Sequence, residues 1–267
     1  MKKKSNEVFQ VFPFPKDRKL TSDLYTISLK QHNIFGITEF DVSLPLEKIR
    51  EMKEKNLDIS FLAFIINCLT KAVEENKLVQ GMKKGKKKIV VFDDVDVCAI
   101  IASDETWQKV PLAHILRKAN EKTLLHINSE IQEVKLNRQQ LYKEMEKTID
   151  SLLKVPGWLR RKVIEMKYRN DPLFRKKNAG TVCLTSIGAY FAGRSGWGIP
   201  LSSNPLYVIL GGIEEKPVSR NKEIVSREMM NVTIVFDHDV TDGAPAVQFV
   251  KKFGQLIEEG FGFDTIK

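Results

Sequence analysis

Met229-Met230-Asn231-Val232-Thr233-Ile234-Val235-Phe236-Asp237-His238-Asp239-Val240-Thr241-Asp242-Gly243 is the stretch whose reading decides the fold. Asn231 to Phe236 is apolar and β-branched, the composition of a strand. Such a strand delivers Asp237 and His238 together at its end, where the chain turns toward Gly243. A rigid strand fixes side chains at that point while the turn leaves them accessible. A neutral imidazole, with an unperturbed pKa of about 6.5, can accept a proton near pH 7. Asp242 could orient that imidazole, carry charge or brace the turn. On these residues alone a structural histidine is the stronger reading.

Strands are also expected upstream, at Gly180 to Thr185 and Leu206 to Gly211. Downstream, Val247, Phe249, Val250, Phe253, Leu256 and Ile257 give the apolar side of a final helix from about Ala244 to Glu259. From Leu112 to about Arg169 the apolar spacing is helical, with an interruption at Pro156-Gly157. Trp158 to Arg169 reads as a basic amphipathic helix, either touching a membrane or acidic partner or packed with a solvated charged face.

Earlier in the chain, Val95 to Ile101 is nearly continuous in apolar residues, as in a strand buried on both faces. Lys83 to Lys88 forms a basic turn around Gly85, leading into Ile89-Val90-Val91-Phe92. Ser60 caps a core helix with Phe61, Phe64, Ile65, Cys68, Leu69 and Val73 on its apolar face. Ile37 to Ser43 alternates as a half-buried strand, and residues 1 to about 20, with Pro13 and Pro15, read as an irregular arm. No repeat and no Pro-, Gly- or Ser-rich linker divides the chain. One α/β domain over residues 1–267 is expected, with an N-terminal arm (about 1–20) and an extended helical segment (about 112–177).

Hydrophobic residues at 42% and charged residues at 29% fit a globular chain and argue against disorder. No run reaches the roughly 18 apolar residues that span a membrane, and no signal-like run follows the charged start. Cys68, Cys98 and Cys183 each sit in apolar surroundings, which suits buried reduced thiols and a cytoplasmic location. A formal charge of +9 favours polyanionic partners, whether nucleic acid, acidic membrane or cofactor phosphates. The lysines are not interleaved with aromatics and no zinc-finger or RNP-type signature is present, so no nucleic-acid partner is expected. Membrane contact is not expected either.

His238-x-x-x-Asp242-Gly243 behind an apolar strand resembles the signature shared by chloramphenicol acetyltransferase and the dihydrolipoamide acyltransferase components of 2-oxoacid dehydrogenase complexes. Met229 to His238 resembles the pre-catalytic strand of the latter. Leu206 to Ile213 and Glu215 to Val218 resemble the hairpin before it, and Ile59 to Ile65 resembles the first core helix. The resemblance spans nearly the whole chain. It implies a chloramphenicol acetyltransferase-like α/β fold: a two-layer α+β sandwich with a central mixed β-sheet covered by helices. It also implies a homotrimer or a larger assembly, with sites between adjacent subunits.

The same resemblance implies a coenzyme A-dependent acyltransferase, with acyl-CoA as substrate, an acceptor the sequence does not identify, and no metal. His238 would deprotonate a thiol, because thiolate is the reactive form and a free thiol near pKa 8.5 is only partly ionised at pH 7. Cys183-Leu184-Thr185-Ser186-Ile187-Gly188 resembles the family run that stabilises the tetrahedral oxyanion, which makes Thr185 the hydroxyl donor. An ordinary strand threonine is the alternative.

Asp242 would be largely structural, paired with Arg18, while Gly243 would sit in a tight turn that favours glycine. Ser186, Arg194, Lys86 and Lys88 are candidates for contact with the cofactor, although solvated surface charge also accounts for the lysines.

Two departures stand out. Asp239 follows the histidine where dihydrolipoamide acyltransferases usually place Arg. No lipoyl domain precedes the catalytic region, so a free-standing chain without a lipoyl group is expected. The basic segment Gln139 to Lys177 is also longer than the family's usual connection. These features motivate the alternative of a catalytically inactive scaffold or regulatory assembly protein.

Overall fold

The apolar run that ends in the histidine forms β8 (Glu223–Asp237) in the computed structural model, which describes residues 9–101, 111–220 and 222–266. β8 pairs antiparallel with β1 (Asn33–Asp41) on one side and β7 (Leu206–Arg220) on the other. The sheet continues through β6 (Val182–Ser186) and β4 (Val97–Ile101) to β5 (Leu112–Leu116) at the far edge, in the order β1-β8-β7-β6-β4-β5. β4, β6 and β7 run parallel, and β5, β8 and β1 antiparallel to their neighbours. This is the mixed sheet expected.

One face of the sheet carries the core. Val232, Ile234 and Phe236 of β8 and Val208 and Leu210 of β7 point into the same apolar cluster as Phe64, Leu69, Phe249 and Phe253. These aromatics come from α3 (Phe61–Glu75) and α8 (Gly243–Glu258), which pack on each other, with α2 (Ser43–Glu54) against α8 and α4 (Leu124–Leu136) against α3. The rings of Phe249 and Phe253 stack at 5.8 Å, and Phe236 meets Phe249 edge-on. α3 is buried nearly all round, as a central helix must be. Ser60 caps it: its hydroxyl accepts from the Ala63 amide at 3.1 Å.

The second face is more polar, and the connection from β6 to β7 crosses it. At Gly211 and Gly212 a Cβ would fall 2.1 Å from Gly196 O and 1.9 Å from Arg194 O, so only glycine lets the backbones touch there. Beneath this crossing lies the fully buried Asn231. In the amide orientation that satisfies all its neighbours, it donates to Glu39 Oε1 and accepts from Ser195 Oγ and Gly196 N. Cys98 and Cys183, register partners on β4 and β6, are buried free thiols on this face, and Cys68 is a buried free thiol in α3.

Several elements differ from the sequence expectation. The arm ends at Pro15, and Lys16–Ser28 is helical (α1), because proline's fixed φ starts a helix as readily as it breaks one. Residues 1–8 of that arm lie outside the described residues. The segment expected to be helical from 112 begins with strand β5 and turns helical only at Leu124; a five-residue apolar run has no period of its own, and sheet pairing decides it. α2 follows directly on β1 and includes Ser43, which the alternating pattern assigns to a strand.

Further helices are α5 (Arg138–Leu153), α6 (Gly157–Asn170) and α7 (Pro172–Ala179). Packing against α5 and α6 holds α1 in place. Asp23 of α1 is 3% exposed and takes a hydrogen bond of 2.6 Å from Arg160 Nε, itself at 8%. The same guanidinium donates to Val155 O at 3.0 Å, closing the α5–α6 corner. α6, the basic helix, is anchored through Arg160 and Tyr168, and its exposed residues include Trp158, Val163 and Met166 beside the charged ones. Among the described residues no helix is long and apolar enough to cross a membrane.

Removing one partner of a buried, hydrogen-bonded ion pair strands the other charge. Asp23→Ala is expected to lower stability by about 3–5 kcal/mol in urea titration. Asp23→Ala combined with Arg160→Leu should recover part of that loss, because no buried charge then remains.

Candidate active site

The end of β8 is bolted in place by backbone bonds. Asp237 N donates to Pro205 O, and His238 N donates to His32 O at 2.7 Å. The amides of Val240 and Thr241 both fold back onto Asp237 O, making the turn that precedes α8. His238 therefore has a fixed backbone, while its side chain remains 46% exposed. Its Nδ1 lies 3.4 Å from Asp242 Oδ1. An imidazolium formed at His238 would have a carboxylate beside it, which suits a base that must hold a proton briefly.

Asp242 is the residue before α8, and its side chain is 84% exposed. Among the described residues its carboxylate faces His238 and not Arg18, which lies on the exposed side of α1. The buried ion pair among those that fasten α1 is Asp23–Arg160. Gly243 opens α8 without a positive φ, and a Cβ there would meet nothing within 4 Å. No backbone strain within the chain calls for glycine at this position, in contrast to the sequence expectation.

Asp239, the departure after the histidine, does not leave a bare charge at the site. Its Oδ1 sits 2.9 Å from His32 Nδ1 and its Oδ2 2.6 Å from Lys83 Nζ. Lys83 first, then His32, hold its carboxyl below the usual range. The neighbouring Asp237 behaves oppositely: at 3% exposure, burial pushes its carboxyl upward, and the nearby Asp239 charge adds to this. His32 and Lys83 were not legible as site residues, since 207 positions separate His32 from Asp239 and no local spacing links them.

Thr185 lies on β6, half-buried, with its hydroxyl against that of Tyr207. Thr185 pairs with Ile209 and Ile209 with Thr233, so five residues of β8 separate that row from His238. At about 3.3 Å per residue and about 4.8 Å per strand, Thr185 and His238 stand roughly 15–20 Å apart in one chain. Ser186 ends β6, and Arg194 belongs to the crossing segment over the second face. Lys86 is in the turn between β2 (Met82–Lys84) and β3 (Lys88–Val90), and Lys88 is exposed on β3. The single chain thus brings His238 and Asp242 together and leaves Thr185, Ser186 and Arg194 elsewhere. Among the described residues no group of three or more His, Cys, Asp or Glu could hold a metal ion.

The family described as 2-oxoacid dehydrogenases acyltransferase (catalytic domain) matches residues 167–261, which include β6 to α8 and the histidine turn. The dihydrolipoyllysine-residue succinyltransferase component of the mitochondrial 2-oxoglutarate dehydrogenase complex of Saccharomyces cerevisiae is 27% identical over 228 residues, covering 83% of this chain and 41% of that protein. The chain spans about two fifths of the length of the curated relatives it matches.

Among solved structures, a probable dihydrolipoamide acetyltransferase from Listeria monocytogenes superposes with a TM-score of 0.70 at 18% identity, over 94% of this chain and 95% of that one. Azotobacter vinelandii dihydrolipoamide acetyltransferase superposes at 0.68 with 14% identity, over 95% and 92%. That crystal structure addresses the role of a serine, a histidine and an asparagine four positions beyond the histidine in the enzyme's catalytic mechanism. The chain is related to the catalytic domain of the 2-oxoacid dehydrogenase acyltransferases and has the fold of their catalytic cores.

Asp239 has a depressed folded-state pKa, so its contribution to stability is present above the unfolded carboxylate value and is lost as pH falls through the folded one. The stability advantage of wild type over Asp239→Asn should be full at neutral pH. It should shrink steadily below about pH 4. Paired denaturant titrations across that range would measure it, and an advantage that grows on acidification would contradict the assignment.

Proposed function

We propose that this chain is a coenzyme A-dependent acyltransferase that moves an acyl group between a CoA thioester and an acceptor thiol, with His238 as general base. The observation that carries the reading is His238 itself: a backbone locked at the end of a buried strand, a half-exposed imidazole and a carboxylate 3.4 Å from Nδ1. It stands in the part of the chain that matches the acyltransferase catalytic domain.

In the proposed reaction the imidazole takes the proton of the attacking thiol. The thiolate adds to the acyl carbonyl carbon, and the resulting oxyanion needs a hydrogen-bond donor. As the tetrahedral intermediate collapses, the original carbon–sulfur bond breaks, and the imidazolium returns the proton to the departing thiolate. Asp242 steadies the imidazolium between these two transfers.

Thr185 is the proposed oxyanion donor, supplied by a neighbouring copy of the chain. A distance of roughly 15–20 Å within one chain excludes cooperation in cis, and a homotrimer of the kind the resemblance implies would provide it in trans. The pairing of Asp239 with Lys83 and His32 counters the charge that was one of the features motivating an inactive scaffold as the alternative. Three buried free thiols suit the reducing cytoplasm proposed as its location.

Turnover of an acyl-CoA panel, with products identified by mass spectrometry, tests the reaction. His238→Ala should lower kcat by about 10²–10⁴-fold. Equal rates in wild type and variant would sink the enzyme reading. Oligomers reassembled from His238→Ala and Thr185→Ala chains should regain activity that neither variant has alone, since a fraction of their sites then contains both residues.

A further inference from the structure

A pocket of about 410 Å³ lies beside the turn that carries His238, and it takes no part in the chemistry described above. Its walls come from the C-terminal end of α1 and the turn after it, the β2–β3 hairpin, α6, α7 and the end of β8. The hairpin is tied to α6 by a hydrogen bond of 3.0 Å from Gly85 N to Arg169 O, and Gly85 needs its positive φ of 63° to make that turn. Lys30, in the turn after α1, reaches Glu165 of α6 at 2.6 Å. Five separate segments surround one cavity.

The charges lining it do not balance. Lys30, Lys83, Lys86, Arg169 and Arg175 face three carboxylates, Glu165, Asp237 and Asp239. Glu165 is taken by Lys30, and Asp239 by Lys83 and His32. Asp237 is the carboxylate whose charge acts on Arg175, while burial raises its own carboxyl. Among the described residues the side chains of Lys86 and Arg169 have no hydrogen-bond or ion-pair partner.

At the floor, Arg175 is 5% exposed and lies over the buried Tyr168 ring at 5.6 Å. The one hydrogen bond described for its guanidinium runs to Ser203 O at 2.9 Å. A guanidinium carries five donors, so a largely desolvated Arg175 keeps donors for a guest. Two unpaired cations at the rim above a buried arginine form a site for a dianionic, multi-oxygen group, which a guanidinium fork binds in a bidentate manner.

We propose that this pocket binds the phosphate or pyrophosphate group of a phosphorylated ligand, through Lys86 and Arg169 at the rim and Arg175 at the floor. Two sources share that chemistry: the nucleotide end of coenzyme A, and a separate small phosphate ester that would act next to the histidine turn. The site is measured by binding without turnover, so its failure and that of the acyltransferase reading are separable.

Calorimetric titration of the full chain with inorganic pyrophosphate tests the proposal. Wild type should bind, with affinity falling as salt rises. Lys86→Ala combined with Arg169→Ala, both at exposed side chains, should weaken binding at least tenfold without lowering Tm. Lys162→Ala, on α6 but outside the pocket, should leave it unchanged. Displacement of pyrophosphate by adenosine 3′,5′-bisphosphate would assign the site to the CoA nucleotide, and retention would assign it to a separate phosphate ester. No pyrophosphate binding by wild type would overturn the proposal, as would equal affinity in the double variant or an equal loss in Lys162→Ala.

Discussion

Burial of β8 on both faces is the constraint on which the rest of the structure depends. Met229 to Asp237 are nine consecutive residues with almost no solvent contact, flanked by hydrogen-bonded strands on either side. A slip of one residue would exchange Val232, Ile234 and Phe236, which belong to the core cluster, with Asn231, Thr233 and Val235, which alternate with them on the other face. Placing Asn231 in the apolar core would forfeit its bonds to Glu39, Ser195 and Gly196. The register is therefore fixed from both faces. With it are fixed the place where the strand stops and the direction in which the histidine leaves it.

That constraint explains which parts were legible in the sequence. β8, α8, α3 and the Ser60 cap are long or strongly patterned, and their periods match the faces they bury. β5 was read as helix because Leu112-Ala113-His114-Ile115-Leu116 is too short to show a period, and only its pairing with β4 decides its state. α1 was missed because two prolines suggest irregular chain, although the second is positioned to begin a helix. β7 and β8 extend well past the apolar stretches that announced them, since their distal halves form a polar two-stranded ribbon with no core to cover.

The site was partly legible for a related reason. His238 and Asp242 are near in sequence and near in space, and the motif names them together. The partners of Asp239 come from just before β1 and from a hairpin, and the basic pocket draws on five segments. Such constellations leave no spacing to detect. The resemblance supplied Thr185, while the sheet register supplied its distance from His238, and together they make an assembly of copies part of the chemistry rather than an accompaniment to it.

The bonds that place the histidine turn and close α1 onto α6 have a kinetic meaning. Asp23 and Arg160 are 137 positions apart, and the contact of Gln31 with Asp237 spans 206. Closing such distant contacts costs chain entropy that nearby packing must already have offset, so they form late in folding. A nascent chain that has emerged only as far as α7 can build the α3–α4 layer, yet it holds neither a seated histidine nor a finished pocket. The seated histidine and the finished pocket arrive together, with β8 and the turn that follows it.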